Sequence, residues 1–322
     1  MKIKHAFSGL MLIGLMGTSF AAPSELVIDV TYRDFSPKHP DFETFEQHNP
    51  NTTCVRSGGQ PANAIGVPTV VTKGMVKSEL KKVDPEDPKT WIPEKTDGRC
   101  ASSYLPDWFV DLPGGDETKN NYTIQSSLVL KQKDGSNVYQ FKKEQALGEG
   151  FYPLDQFAGS SNPNEKNFGK QNGQSWCGLS NTTTRETCIY RSHNELRGGN
   201  GGPLQYTKDD LRVSTGNIPK RHNYNFTTEG FVQFDYLGLD DEVFSFDGDD
   251  DVWIFIDGHL VVDLGGVHTP QSEEIKLKDI AAAAAGKGWT EDWSPGTVHT
   301  LKFFQVERQS DGSNFTLEVT LN

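Results

Sequence analysis

Four of the five residues from Asp247 to Asp251 are carboxylates, and an unbroken apolar run, Val252 to Ile256, follows at once. Nothing else in the chain sets so much charge beside so much core. Carboxylates this close repel one another unless a cation sits among them. The ion their chemistry suits is calcium, a hard cation that takes several oxygen ligands, which Asp supplies on a short arm. The alternative is a solvated acidic turn, the usual fate of a charge run.

Strands must hold this loop in place. Val252–Ile256 reads as a strand buried on both faces. Asp257-Gly258 then forms a two-residue turn, because both positions of such a turn need positive φ, and His259 to Leu264 is the return strand. Asp247, Asp249 and Asp251 have the one-three-five spacing of an EF-hand, but that match fails. Position six is Val252, position twelve is Gly258, and strands flank the loop instead of helices.

The chain has 322 residues, 34% of them hydrophobic and 32 of them glycine, a turn-rich composition that suits a secreted all-β protein. A net charge of -13 argues against nucleic acid or an anionic membrane as partner. Residues 1–21 read as a signal peptide: Lys2, Lys4 and His5, an apolar centre from Ala6 to Met16, and a Ser19-Phe20-Ala21 cleavage site. The alternative is an N-terminal anchor, but the apolar stretch is short for a membrane span. Cys54, Cys100, Cys177 and Cys188 are the only cysteines. In an exported chain they suggest two disulfides, with sequence neighbours paired in the simplest of three connectivities.

Glu25 to Tyr32 alternates as a half-buried strand. Residues 49–100 read as a long surface excursion, with Glu79–Val83 undecided between strand and helical turn. Ser102 to Leu112 predicts a short helix with an aromatic inner side. Tyr122–Lys131 and Ser136–Lys142 predict a hairpin turning at Lys133-Asp134-Gly135, with Ile124, Leu128 and Leu130 inside. Residues 158–204 read as a loop-like insertion. From Phe226 onward short strands follow closely, with one helix over Asp279–Ala285, which implies a sandwich or barrel.

Gly248-Asp249-Asp250-Asp251-Val252-Trp253-Ile254-Phe255-Ile256-Asp257-Gly258 and Leu260 to His268 closely resemble the fibro-slime domain, a branch of the protective-antigen-like PA-14 domains. Tyr32-Arg33-Asp34-Phe35, His39-Pro40-Asp41-Phe42, Trp108-Phe109, Phe151 to Asp155, His222 to Phe226, Phe303 to Arg308 and Gly312 to Phe315 extend the resemblance over nearly all of residues 22–322. It implies one all-β domain with minor helix, an antiparallel β-barrel or two-sheet sandwich with insertions at about 49–100 and 158–204. It also implies that Asp249 and Asp250, joined by a cis peptide, hold calcium, with Asn314 as a further ligand. Asp247 and Asp251 are possible additional ligands.

Enzyme signatures are absent: there is no G-x-S-x-G, H-E-x-x-H, G-x-x-x-x-G-K-[ST] or G-x-G-x-x-G. The expectation is a secreted or cell-surface, calcium-dependent module, with no catalytic activity and no stable membrane insertion, that binds glycans or glycoproteins. A structural matrix or appendage protein with a purely structural calcium loop is the alternative. Trp176, Trp289 and Trp293 are candidates to stack on a sugar. His268 could hydrogen-bond to the acidic loop. Five Asn-x-Ser/Thr sequons, at Asn51, Asn121, Asn181, Asn225 and Asn314, matter only in a glycosylating source.

Overall fold

The computed structural model describes residues 23–35, 39, 41, 71–97, 104–112, 121–144, 150–154, 225–266, 268–308 and 313–320, and the backbone of 188–190 and 204–206. The predicted signal peptide, Cys54, Cys100, Cys177, Trp176 and most of the 158–204 insertion lie outside these residues. Cys188 is described in backbone only, so the disulfide expectation falls outside as well.

The strands are β1 (Glu25–Phe35), β2 (Asn121–Gln132), β3 (Val138–Lys143), β4 (Cys188–Tyr190), β5 (Leu204–Tyr206), β6 (Phe226–Asp235), β7 (Val243–Gly248), β8 (Asp251–Ile256), β9 (His259–Leu264), β10 (Gln271–Lys276), β11 (Val298–Glu307) and β12 (Phe315–Thr320). β4 and β5 pair by themselves. The other ten form one sheet in the order β10-β7-β12-β3-β2-β1-β6-β11-β8-β9. Every ladder in it is antiparallel. The expected all-β architecture is present, as a single curled, barrel-like sheet instead of two separate sheets. Its edge strands, β9 and β10, are consecutive in the chain.

Alternation explains the inner core. Leu26, Ile28, Val30 and Tyr32 of β1 point inward with Leu128 and Leu130 of β2, Phe234 of β6, Phe303 of β11 and Leu317 of β12. The β2–β3 hairpin turns where the sequence predicts, with positive φ at Asp134 and Gly135. Gly230 of β6 lies opposite Phe303, whose ring comes within 2.1 Å of where a β-carbon would stand. Glycine is there so that the ring can lie across the strand.

A second core explains the unbroken apolar run of β8. Val252, Ile254 and Ile256 face the inner core, while Trp253 and Phe255 face outward. There they meet Phe35, Met75, Val76, Leu80, Trp91, Leu105, Trp108, Phe109, Phe304 and Val306. Residues 71–97 therefore do not form the surface excursion that composition suggests. They are a strap that seals the outer face of β8, β9 and β11. Glu79 and Lys81 make isolated bridges, to His259 and Ile92, and form neither a strand nor a helical turn. Thr72 N–H bonds to Gly265, Leu80 N–H to Gly258 and Leu260 N–H to Ser78, so the strap also covers the exposed edge of β9. Burying each large apolar side chain here contributes roughly 1.5–3 kcal/mol.

The predicted short helix after Ser102 is a single 3-10 turn, Leu105–Asp107, that delivers Leu105, Trp108 and Phe109 to this second core. The later helix, α1 (Leu277–Lys287), runs longer than its alanines suggest and ends at Gly288, whose φ of 75° supplies a left-handed cap. Among the described residues no helix is long and apolar enough to cross a membrane.

Candidate metal centre

Strand parity decides which acids reach the loop between β7 and β8. Phe244, Phe246 and Gly248 are buried, so Asp247 points to the other side. There it accepts a hydrogen bond from the Ser272 hydroxyl of β10 at 2.5 Å. Asp250 has a φ of 56°, a left-handed conformation that Asp tolerates better than most residues. This break in alternation lets three consecutive carboxylates, Asp249, Asp250 and Asp251, all be buried, at 7%, 3% and 0% exposure. None of the described peptide bonds is cis. The expected cis link between Asp249 and Asp250 is thus absent, and the positive φ makes the turn.

Each carboxylate has its own donors. Asp249 accepts from the backbone N–H and the side-chain amide of Asn314, each at 2.5 Å. Asp250 accepts the backbone N–H of Arg308 at 2.7 Å. Asp251 accepts the backbone N–H of Gly266 at 2.6 Å and Nε of Arg308 at 2.7 Å. The two ends of the β11–β12 connection, Arg308 and Asn314, therefore grip the loop from both sides. The structure brings Asp249, Asp250, Asp251 and Asn314 together and leaves Asp247 outside.

Burial outweighs these donors. It pushes the Asp249 carboxyl up to about 6, although Asn314 opposes the shift. Burial also raises Asp250 well above the carboxylate range; Arg308 opposes this, and Asp249 and Asp251 add to it. A further carboxylate escaped the sequence reading. Glu307, at the end of β11 and fully buried, is raised well above its ordinary value by burial and then by Asp250 and Asp249. A signal was available: Glu307 and Arg308 end an otherwise apolar stretch, Leu301 to Val306, whose only interruptions are Lys302 and Gln305. Parity in β11 sets Glu307 on the face of Phe303, and Arg308 on the face of Phe304 and Val306.

Among the described residues, no three His, Cys, Asp or Glu side chains form a ready-made metal cage. The donor chemistry still fits a hard cation, since Asp249, Asp250 and Asn314 supply carboxylate and amide oxygens. For Asn314 to ligate, its amide must present Oδ1 where Nδ2 now faces Asp249.

The outer core braces the loop. The Arg308 guanidinium lies 5.1 Å above the Trp108 ring, and Trp108 stacks on Trp253 at 6.2 Å. Trp108 Nε1 donates to Asp41 at 2.8 Å, while the Thr227 hydroxyl donates to the Trp108 carbonyl. Asp263 accepts from Trp253 Nε1 and from Gly74 N–H, which ties the strap to the same block. His268 binds the carbonyls of Leu264 and Thr269 and so fixes the turn beside the loop without touching a carboxylate directly. Trp289 and Trp293 are not open platforms. They stack on His259 at 4.2 Å and on His299 at 3.9 Å, and these histidines flank the hairpin tip at the far end of β8.

The PA14 domain family model matches residues 206–322, the stretch that carries the acidic loop, Arg308 and Asn314. Three Dictyostelium discoideum proteins are similar over wider or closer stretches. Protein psiO is 27% identical over 271 residues, covering 79% of this chain and 30% of its own length. Protein psiJ is 27% identical over 311 residues, covering 94% of this chain and 33% of its own. Protein psiB is 35% identical over 139 residues, covering 43% and 22%. The chain spans a third or less of the length of these relatives. The PA14 match and the β-rich fold fit a general binding role.

Proposed function

We propose that the chain is an exported fibro-slime module that binds glycans or glycoproteins at a cell or matrix surface through calcium, and that it has no catalytic role. One observation supports this most directly. Asp249 and Asp250 are adjacent and buried, and burial raises both carboxyls although Asn314 opposes the shift at Asp249 and Arg308 opposes it at Asp250. A divalent cation bound beside the pair would favour the ionised form of both. Calcium held there would supply the Lewis-acid contact for vicinal sugar hydroxyls. The residues around it would hold and orient the ion: Asn314 and the Arg308 backbone fix the carboxylates, and the strap keeps water from the outer face.

The test is thermal melting with calcium and with chelator, followed by a glycan array, on wild type and on Asp249→Asn/Asp250→Asn. Calcium should raise Tm in the wild type alone, and glycan signal should vanish with chelator and in the variant. Glycan binding that survives chelation rules out the bridging ion. A second reading is favoured by the donors that each carboxylate already has: the loop serves the fold, and calcium shifts Tm with no glycan bound.

A further inference from the structure

We infer that His259 is a proton-operated clasp that fastens the strap and residues 288–297 to the tip of the β8–β9 hairpin, tight at acid pH and looser at alkaline pH. It does not depend on the cation-binding reading, since this tip stands at the far end of β8 from the acidic loop. Both ring nitrogens of His259 face carboxylates, and the two carboxylates come from different segments. Nδ1 lies 2.8 Å and 2.7 Å from the two oxygens of Glu79 in the strap. Nε2 lies 3.1 Å from Glu291, in the connection from α1 to β11. A neutral imidazole has one N–H and one lone pair, so it can donate to one of these carboxylates and must turn its lone pair on the other. Only the imidazolium donates to both. A histidine side chain changes charge in the range between pH 5 and 8.

The remaining charged groups at the tip are accounted for. Lys287, at the end of α1, places its Nζ 4.8 Å from the centre of the Trp289 ring, the ring that stacks on His259. Asp257, in the same hairpin, is held by His299 and by the N–H and hydroxyl of Thr300. The two clasped segments depend on His259 unequally. The strap also has backbone bonds here, Leu80 N–H to Gly258 and Leu260 N–H to Ser78. Residues 290–293 make no backbone–backbone hydrogen bond among the described residues. Side chains anchor that stretch instead: Trp289 and Glu291 on His259, and Trp293 on His299. Loss of the second proton therefore loosens 288–297 before it loosens the strap. Glu79 and Glu291 are 54% and 27% exposed, so solvent screening keeps the effect small.

The experiment is amide hydrogen exchange of the full chain, read by mass spectrometry at about pH 5.5 and about pH 8 and corrected for the chemical exchange rate at each. In the wild type, protection across 288–297 should be about threefold higher at the lower pH. His259→Gln, neutral throughout, should show the looser level at both. His259→Arg stays charged and carries several donors, so it should show the tighter level at both. Glu291→Gln leaves the hairpin tip unaltered and should also abolish the difference, because its amide can either donate to the ring or accept from it. Equal protection of the wild type at the two pH values overturns the inference. So does a pH difference that survives in His259→Gln, which would assign the proton to His299.

Discussion

Trp108 and Asp41 are 67 residues apart in the chain, and the indole N–H of one donates to the carboxylate of the other at 2.8 Å inside the outer core. Asp41→Ala would strand that N–H without its acceptor. The expected loss is about 1–3 kcal/mol in urea unfolding. Trp108→Phe should lose more, because it also removes the stack on Trp253 and the surface under Arg308. Two changes each below about 0.5 kcal/mol would contradict this account.

His39 sits between the ring edges of Phe35 and Tyr104, and its Nδ1 accepts the Asp41 N–H. Burial lowers its pKa from 6.5 to about 4. Between those values the unfolded chain binds the proton and the folded one does not. Stability from this group is therefore full above pH 6.5 and falls as pH drops toward 4. The loss should approach about 3 kcal/mol. Denaturant melts of His39→Gln across this range should be flatter than wild type by that amount, and parallel curves would refute the assignment.

Glu229 is shared by two buried cations, Arg33 Nη1 at 2.8 Å and Lys302 Nζ at 2.6 Å. Lys302 also donates to the carbonyls of Lys89 and Trp91, and burial pulls its pKa down. Glu229→Gln leaves Lys302 facing a neutral group, while Arg33 keeps its pair with Asp111, and should destabilise by about 3–5 kcal/mol. Lys302→Met should be milder globally but should loosen the strap. Limited proteolysis should then cut within 71–97 faster than in wild type. Equal cleavage rates would show that the strap does not depend on Lys302.

Gly230→Ala places a methyl where the Phe303 ring lies, within 2.1 Å. Overpacking of this kind costs about 1–3 kcal/mol. A drop in Tm should be partly reversed by Phe303→Leu in the same chain, which vacates the space. A lower Tm in the double variant than in Gly230→Ala alone would count against the contact.

Local features of the fold were legible in the sequence. The Asp257-Gly258 turn has positive φ at both positions, and the β8 run is buried on both faces, as residue types alone require. What was not legible depends on partners distant in sequence. The strap looked like surface because Pro, Lys and Thr dominate residues 49–100, yet Met75, Leu80 and Trp91 within it close a core. At the candidate site, the adjacency of Asp249 and Asp250 was visible; that Asn314 donates its side-chain amide to Asp249 was not. The roles of Arg308 and Glu307 were not visible, because they depend on the β11–β8 register, which sets Val306 opposite Asp251.

Three of the Asn-x-Ser/Thr sites, Asn121, Asn225 and Asn314, are buried in the fold. The amide nitrogen of Asn121 is spent on the Val110 carbonyl, and that of Asn314 on Asp249. An oligosaccharide can reach these nitrogens only before the sheet closes. In a host that decorates nascent chains, production of this protein becomes a race between transfer and folding. A glycan that arrives first on Asn314 would occupy the nitrogen that the acidic loop needs, so the same chain made in bacterial and in eukaryotic secretory hosts need not be the same molecule.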